Sequence, residues 1–268
     1  MSAPQVKHRL TVALVQWAST LEPADNRAAL ERLDADADLV VLPEAFARDF
    51  GPPTDRLGPY AEPLDGPFAT ALEATAARLD ATVVAGMFEQ TDDAERPCNT
   101  LLARGRAHSS YQKVHLYDSF GYKESERLLA GPWEPTVVDV DGWKVGLLTC
   151  YDLRFPELAR ALVDRGAEVL VIPAAWVAGR TPDEHARKQE HWRTLVRARA
   201  IENTTYVVAV GQPEPRYTGC SVAVDPDGVV LAEAGPHPVV LHATLERERL
   251  EQVRATNPSL ANRRTPGG

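Results

Sequence analysis

Short, unbroken runs of apolar and β-branched residues limit most strongly what this chain can fold into. They include LTVALVQWA (10–18), ADLVVLPEA (37–45), ATVVAGMFE (81–89), NTLLARG (99–105) and TVVDVDGWKVGLLTC (136–150). The pattern continues in EVLVIPAAW (168–176), TYVVAVGQ (205–212), CSVAVDPDGVVLAEA (220–234) and PVVLHATL (238–245). A strand with one wet face alternates apolar and polar residues. A continuous run fits a strand covered on both faces. Helical spacing falls between the runs, at 24–35, 67–79, 156–165 and about 182–203. Thr181-Pro182-Asp183-Glu184 opens the longest of these segments with an N-cap, a first-turn proline and a capping-box glutamate. Asp141-Gly142 and Asp227-Gly228 interrupt strand-like sequence and predict hairpin turns, because Gly tolerates positive φ. Strands alternating with helices, plus two hairpins, predict an α/β protein with a mixed sheet.

The 268 residues suffice for one large domain or two small ones. No repeat or low-complexity block divides them. The Pro- and Gly-rich stretch from Asp49 to Asp65 brings no shift in composition. One domain over 1–268 is therefore expected, with a flexible polar tail from about residue 257. A net charge of −9 argues against nucleic acid as a partner, since phosphate binding needs a basic face. The first twenty residues lack a long apolar core followed by a small-residue cleavage site, and no apolar stretch approaches membrane-spanning length. A soluble cytoplasmic protein without membrane contact is expected.

Cys98, Cys150 and Cys220 are too few and too scattered for a disulfide scaffold, and no CxxC pair suggests zinc. Cys98 and Cys220 read as small buried apolar residues. Cys150 ends the run KVGLLTC and precedes YDLRFPELARAL, in which Pro156 can open a helix. A thiol at a strand-to-helix junction sits near unpaired N–H groups and partial positive charge, which favour a thiolate and a developing oxyanion. A core cysteine at a strand end is the competing reading. None of the seven histidines lies in a distinctive motif, so a Cys–His arrangement has little support. Glu44 follows the buried run DLVVLP, where burial would raise a carboxyl pKa toward the range useful for proton transfer. An exposed strand-end glutamate is the alternative. Lys113 lies among apolar and aromatic neighbours in SYQKVHLYD, in a chain whose habitual cation is arginine. Its ammonium suits oxyanion stabilisation, against a snorkelling surface lysine.

Together, LVVLPEAF, YQKVHLYD and GLLTCYDLRFPEL resemble the nitrilase (carbon–nitrogen hydrolase) superfamily, in the order of its Glu-Lys-Cys triad. The resemblance continues through 190–212 and 218–230 and covers nearly the whole chain. It implies an α-β-β-α four-layer sandwich, often paired into dimers, so a homodimer or higher homo-oligomer is expected. It implies Cys150 as nucleophile, Glu44 as general base and Lys113 as oxyanion stabiliser, with the backbone N–H of Tyr151 as a second oxyanion donor. Glu124 matches the family's second glutamate, with Glu126 as its rival. CYDLRFPEL is similar to the amidase and ω-amidase branches. The expected activity is hydrolysis of a small linear amide to an acid and ammonia through a Cys150 thioester, with no metal or organic cofactor. A nitrilase or an N-carbamoyl-amine hydrolase is the alternative within the family, and an inactive scaffold the alternative outside catalysis. The segment 172–185 is expected to line the pocket. Trp176 either bounds that pocket or packs beside it, and Arg180 and Arg187 are candidates to meet a substrate carboxylate.

Overall fold

A computed structural model describes residues 7–264. The first half contains β1 (Arg9–Gln16), α1 (Pro23–Arg32), β2 (Leu39–Val41), α2 (Pro67–Leu79), β3 (Thr82–Glu89), β4 (Cys98–Gly105) and β5 (Ser109–Gln112). A small hairpin follows, made of β6 (Asp118–Ser119) and β7 (Tyr122–Lys123). The second half contains β8 (Val137–Val140), β9 (Trp143–Leu147), α3 (Pro156–Asp164), β10 (Val169–Ala174), α4 (Pro182–Asn203) and β11 (Tyr206–Gly211). It closes with β12 (Val222–Val224), β13 (Val230–Glu233), β14 (Val239–Glu246) and α5 (Arg247–Thr256).

Two six-stranded sheets result, ordered β14-β1-β2-β3-β4-β5 and β13-β12-β11-β10-β9-β8. The central strands of each are parallel and the outer ones antiparallel. Alternate residues explain the unbroken apolar runs. Val12, Leu14, Leu39, Val41 and Val84 pack in the core shared with the second sheet. Ala13, Val15, Val40, Leu42 and Val83 pack in a separate core with Leu30 of α1 and Leu72 of α2. On the far side, Leu158 and Leu162 of α3 and Trp192, Val196 and Ala200 of α4 cover the second sheet at four-residue spacing. The layers are therefore helix, sheet, sheet, helix, as expected. Among the described residues no helix is long and apolar enough to cross a membrane.

Local signals acted with some differences. Asp141 and Gly142 both adopt positive φ and join β8 to β9 in a two-residue turn, as expected. Around Asp227-Gly228 the loop is longer. The Asp225 carboxylate accepts from the backbone N–H groups of Asp227 and Val229 and so organises it. Thr181 caps α4 by accepting from Glu184 N, but Glu184 reaches back to Arg180 N instead of completing the box at Thr181. A further difference concerns Cys150. The strand-to-helix junction is not direct: a 3-10 turn, Cys150–Arg154, lies between β9 and α3, and Phe155 precedes Pro156 at the start of α3. The backbone around Cys150 thus belongs to a short turn and not to the α-helix that follows.

Candidate active site

Four segments converge where the sheets face each other. Glu44 lies just past β2, in a stretch sewn to β3 by Leu42 N donating to Val84 O and Ala47 N to Gly86 O. The absence of a side chain at Gly86 is required here, because a Cβ would stand 2.4 Å from Ala45 N and 2.9 Å from Glu44 Cα. Lys113 directly follows β5; its N–H donates to Asn99 O on β4 at 2.8 Å. Glu124 opens a 3-10 turn after the β6–β7 hairpin. Cys150 heads its own turn with φ of 45°, a strained conformation for a non-glycine residue.

These side chains form one buried cluster. Lys113 Nζ donates to Glu44 Oε1 at 3.0 Å and to Glu124 Oε1 and Oε2 at 3.0 and 2.9 Å. The three residues are 1–2% exposed. Glu44 Oε1 also accepts from Asn99 Nδ2 at 2.7 Å, and Oε2 accepts from Ala175 N at 2.7 Å. Glu124 Oε2 accepts from Tyr117 N, which ties the base of the β6–β7 hairpin to the cluster. Glu126 instead points to solvent near Lys123.

The electrostatics follow from burial and proximity. Burial works against the Lys113 charge, but the adjacent Glu124 and Glu44 carboxylates outweigh it and hold the ammonium well above its usual range. Burial raises the Glu124 carboxyl, opposed by Lys113. Burial and then the Glu44 charge push the Cys150 thiol well above its usual value. The sulfur therefore rests as a thiol, and attack by it needs a base at hand. Cys98 is also pushed up, to about 11, by burial and the charge of Glu89. Neither Cys98 nor Cys220 lines the cavity described next.

Glu44, Lys113, Glu124 and Cys150 line a cavity of about 560 Å³, a size suited to a small molecule. Tyr151 lines it half-buried, its ring edge-on to Tyr117 at 5.0 Å. Trp176 both bounds the cavity and packs: it leans on Trp192 at 5.4 Å and donates from Nε1 to Lys188 O. Arg180 and Arg187 reach the cavity as exposed side chains. Arg154 is placed differently. Its guanidinium lies 4.8 Å over the Trp176 ring and 6.0 Å from that of Tyr151, and its buried Nε meets no acceptor among the described residues. Other cavity cations are engaged. Arg127 bonds Asp55 O, Phe50 O and the Tyr122 hydroxyl, and Arg216 pairs with Asp49.

Asn99 and Asp152 were not singled out in the sequence. A buried Asn within the run NTLLARG was the available signal for the first, since a polar side chain between covered strands needs a partner. Asp152 stood within the cysteine block, but its partners Tyr111 and His115 come from a distant segment.

The sequence profile of the carbon–nitrogen hydrolase family matches residues 11–255. The deaminated glutathione amidase of Escherichia coli O157:H7 is 41% identical over 250 residues, covering 92% of each chain. The 2-oxoglutaramate amidase of Paenarthrobacter nicotinovorans is 36% identical over 243 residues, covering 85% of this chain and 79% of its own. The crystal structure of XC1258 from Xanthomonas campestris, described as a CN-hydrolase superfamily protein with an arsenic adduct in the active site, superposes with a TM-score of 0.83. It is 32% identical, and the match covers 98% of this chain and 100% of that one.

Removing the cation at the centre of the cluster tests its electrostatics. Lys113→Met leaves two buried carboxylates facing each other and is expected to cost about 3–5 kcal/mol of stability near pH 8. Without Lys113 the folded-state carboxyl pKa rises, so the variant binds protons more readily folded than unfolded. Its deficit in urea unfolding therefore shrinks from about pH 8 to about pH 5. A deficit independent of pH contradicts the assignment of both charges.

Proposed function

Because the chain belongs to the carbon–nitrogen hydrolase family, we propose that it hydrolyses small linear amides to a carboxylic acid and ammonia, with Cys150 as nucleophile. The observation that carries this reading is the Lys113 ammonium bridging buried Glu44 and Glu124, with Cys150 on the same cavity wall. A scaffold without chemistry would gain from apolar residues in place of such a cluster. The relatives named as amidases support an amide over a nitrile or a carbamoyl group.

Each step uses a group already in place. Glu44 Oε2 has accepted one hydrogen bond and keeps a lone pair for the thiol proton. As Glu44 takes that proton, Cys150 Sγ bonds to the amide carbon. Lys113 Nζ and the Tyr151 N–H stabilise the resulting oxyanion. Glu44 returns the proton to the departing nitrogen, the C–N bond breaks and ammonia leaves a thioester on Cys150. The same carboxylate takes a proton from water, whose oxygen attacks the thioester. The C–S bond breaks, the acid leaves and the proton returns to sulfur. Asn99 and Ala175 N–H hold Glu44 in orientation, and Glu124 holds Lys113. Arg154 reads the far end of the substrate. Stacked on Trp176 and lining the cavity, its guanidinium has the fork of N–H groups that suits a carboxylate. The proposed substrate is therefore an amide carrying a carboxylate.

Ammonia release over paired carboxylate-bearing and neutral amides, with matched nitriles, tests this. The carboxylate-bearing amides are expected to turn over and the nitriles to lag. Cys150→Ser and Glu44→Gln are expected to lower kcat about 10³-fold or more. Arg154→Met raises KM about tenfold for the carboxylate-bearing amide alone. No ammonia from any amide contradicts the reading.

The same reading takes the chain as one domain over 1–268, acting in the cytoplasm as a homodimer or higher homo-oligomer. Three free cysteines support a reducing compartment. Exposed Val229, Val230 and Leu231 adjoin Gly228, which lies against exposed Ile201 of α4, and this apolar patch supports self-association. Light scattering of the purified chain should give at least twice the monomer mass of 29.3 kDa; a monomer contradicts it.

A further inference from the structure

Cys150 and Lys113 are carried by different sheets, Lys113 after β5 of the first and Cys150 after β9 of the second. Their spacing therefore depends on what joins the two carriers. One buried carboxylate does so. Asp152 is fully buried and lies two residues beyond Cys150. Its Oδ2 accepts from Thr149 N at 2.9 Å and from the Tyr111 hydroxyl at 2.7 Å. Its Oδ1 accepts from His115 N at 3.0 Å and lies 2.7 Å from His115 Nδ1. A carboxylate oxygen accepts, so Nδ1 carries the proton. The His115 ring is further fixed by a parallel stack on Phe155, with centroids 3.7 Å apart.

The symmetry of these bonds is informative. Tyr111 and His115 stand two residues before and two residues after Lys113. Thr149 and Asp152 itself flank Cys150. A single side chain thus brackets both residues from either side. Four donors on one buried carboxylate hold it in one rotamer without a neighbouring Lys or Arg. No described bond takes Asp152 into the cavity, and the proton transfers above do not need it.

We propose that Asp152, through Tyr111 and His115, is a positioning residue that sets Lys113 against Cys150 for oxyanion stabilisation. The inference rests on the hydrolytic role assigned to those two residues. A displacement of about 1 Å between reacting groups is enough to cost up to about 10²-fold in rate, while none of the bonds of Tyr111 or His115 runs to Arg154. The loss should therefore fall on kcat and spare KM.

Three variants separate positioning from bulk stability. Tyr111→Phe removes one oxygen. His115→Phe keeps a ring on Phe155 but loses the Nδ1 donor. His115→Asn loses the stack but can restore a donor near the Nδ1 position. Tyr111→Phe and His115→Phe are expected to lower kcat about tenfold or more with KM within about twofold. His115→Asn is expected to recover at least about half of the wild-type kcat. The alkylation rate of Cys150 by iodoacetamide, read by peptide mass spectrometry, should fall and recover in the same order. Wild-type kcat in a folded His115→Phe, or equal loss in His115→Asn, overturns the proposal. Should His115→Phe not fold, Tyr111→Phe carries the comparison, and wild-type kcat there is equally fatal. If the wild-type protein hydrolyses no amide, the activity reading fails separately. The alkylation series still judges the positioning claim, and equal rates in all variants overturn it.

Discussion

The contact on which the structure depends is the Lys113 ammonium held between two buried carboxylates. Each charge alone would be costly to bury, by several kcal/mol per ion in approximate terms. Placed 3.0 Å or less from both glutamates, the ammonium offsets much of that cost and stays charged. Burial, and then the Glu44 charge, push the Cys150 thiol well above its usual range, so it stays protonated beside the cluster. The resting state is thus unreactive on its own, and the fixed carboxylate and ammonium are present before any ligand arrives. Preorganisation of this kind is the main source of electrostatic stabilisation in enzymes.

The two-sheet architecture makes that cluster possible. Glu44, Lys113 and Asn99 come from the first sheet or the segments at its strand ends, and Cys150 and Ala175 from the second. Packing the sheets face to face buries strand ends that a single open sheet would leave wet. The cost is that residues far apart in sequence must be held in register. Glu44 is fixed by partners at a separation of 55, 69 and 131 residues. The absent side chain at Gly86 and the four bonds to Asp152 serve the same registration.

Much of this was legible in the sequence, for a definable reason. Strands covered on both faces leave continuous apolar runs, and their ends marked where Glu44 and Cys150 would emerge. The segment 182–203 carried its own start signals, and its helix spans Pro182–Asn203. What escaped was decided by tertiary partners. β5 reads SSYQ, a polar edge strand whose pairing with β4 leaves no apolar signature. In α5 only Leu250 and Val253 are buried, too few to show a helical stripe. Glu124 and Glu126 sit two residues apart in one short turn. Which of them is buried depends on where Lys113 lies, and local pattern does not encode that. Asn99 and Asp152 look ordinary until strands from separate segments close around them.

The central claim is that this cluster drives acyl transfer to Cys150, and its most direct test is to capture the intermediate. Turnover of a carboxylate-bearing amide is quenched in acid within the first seconds and analysed by intact-protein and peptide mass spectrometry. The account predicts a mass increase equal to the acyl group, located on the peptide containing Cys150 and absent in Cys150→Ser. An adduct on Cys98 or Cys220, or steady ammonia release with no adduct on any cysteine, would contradict it.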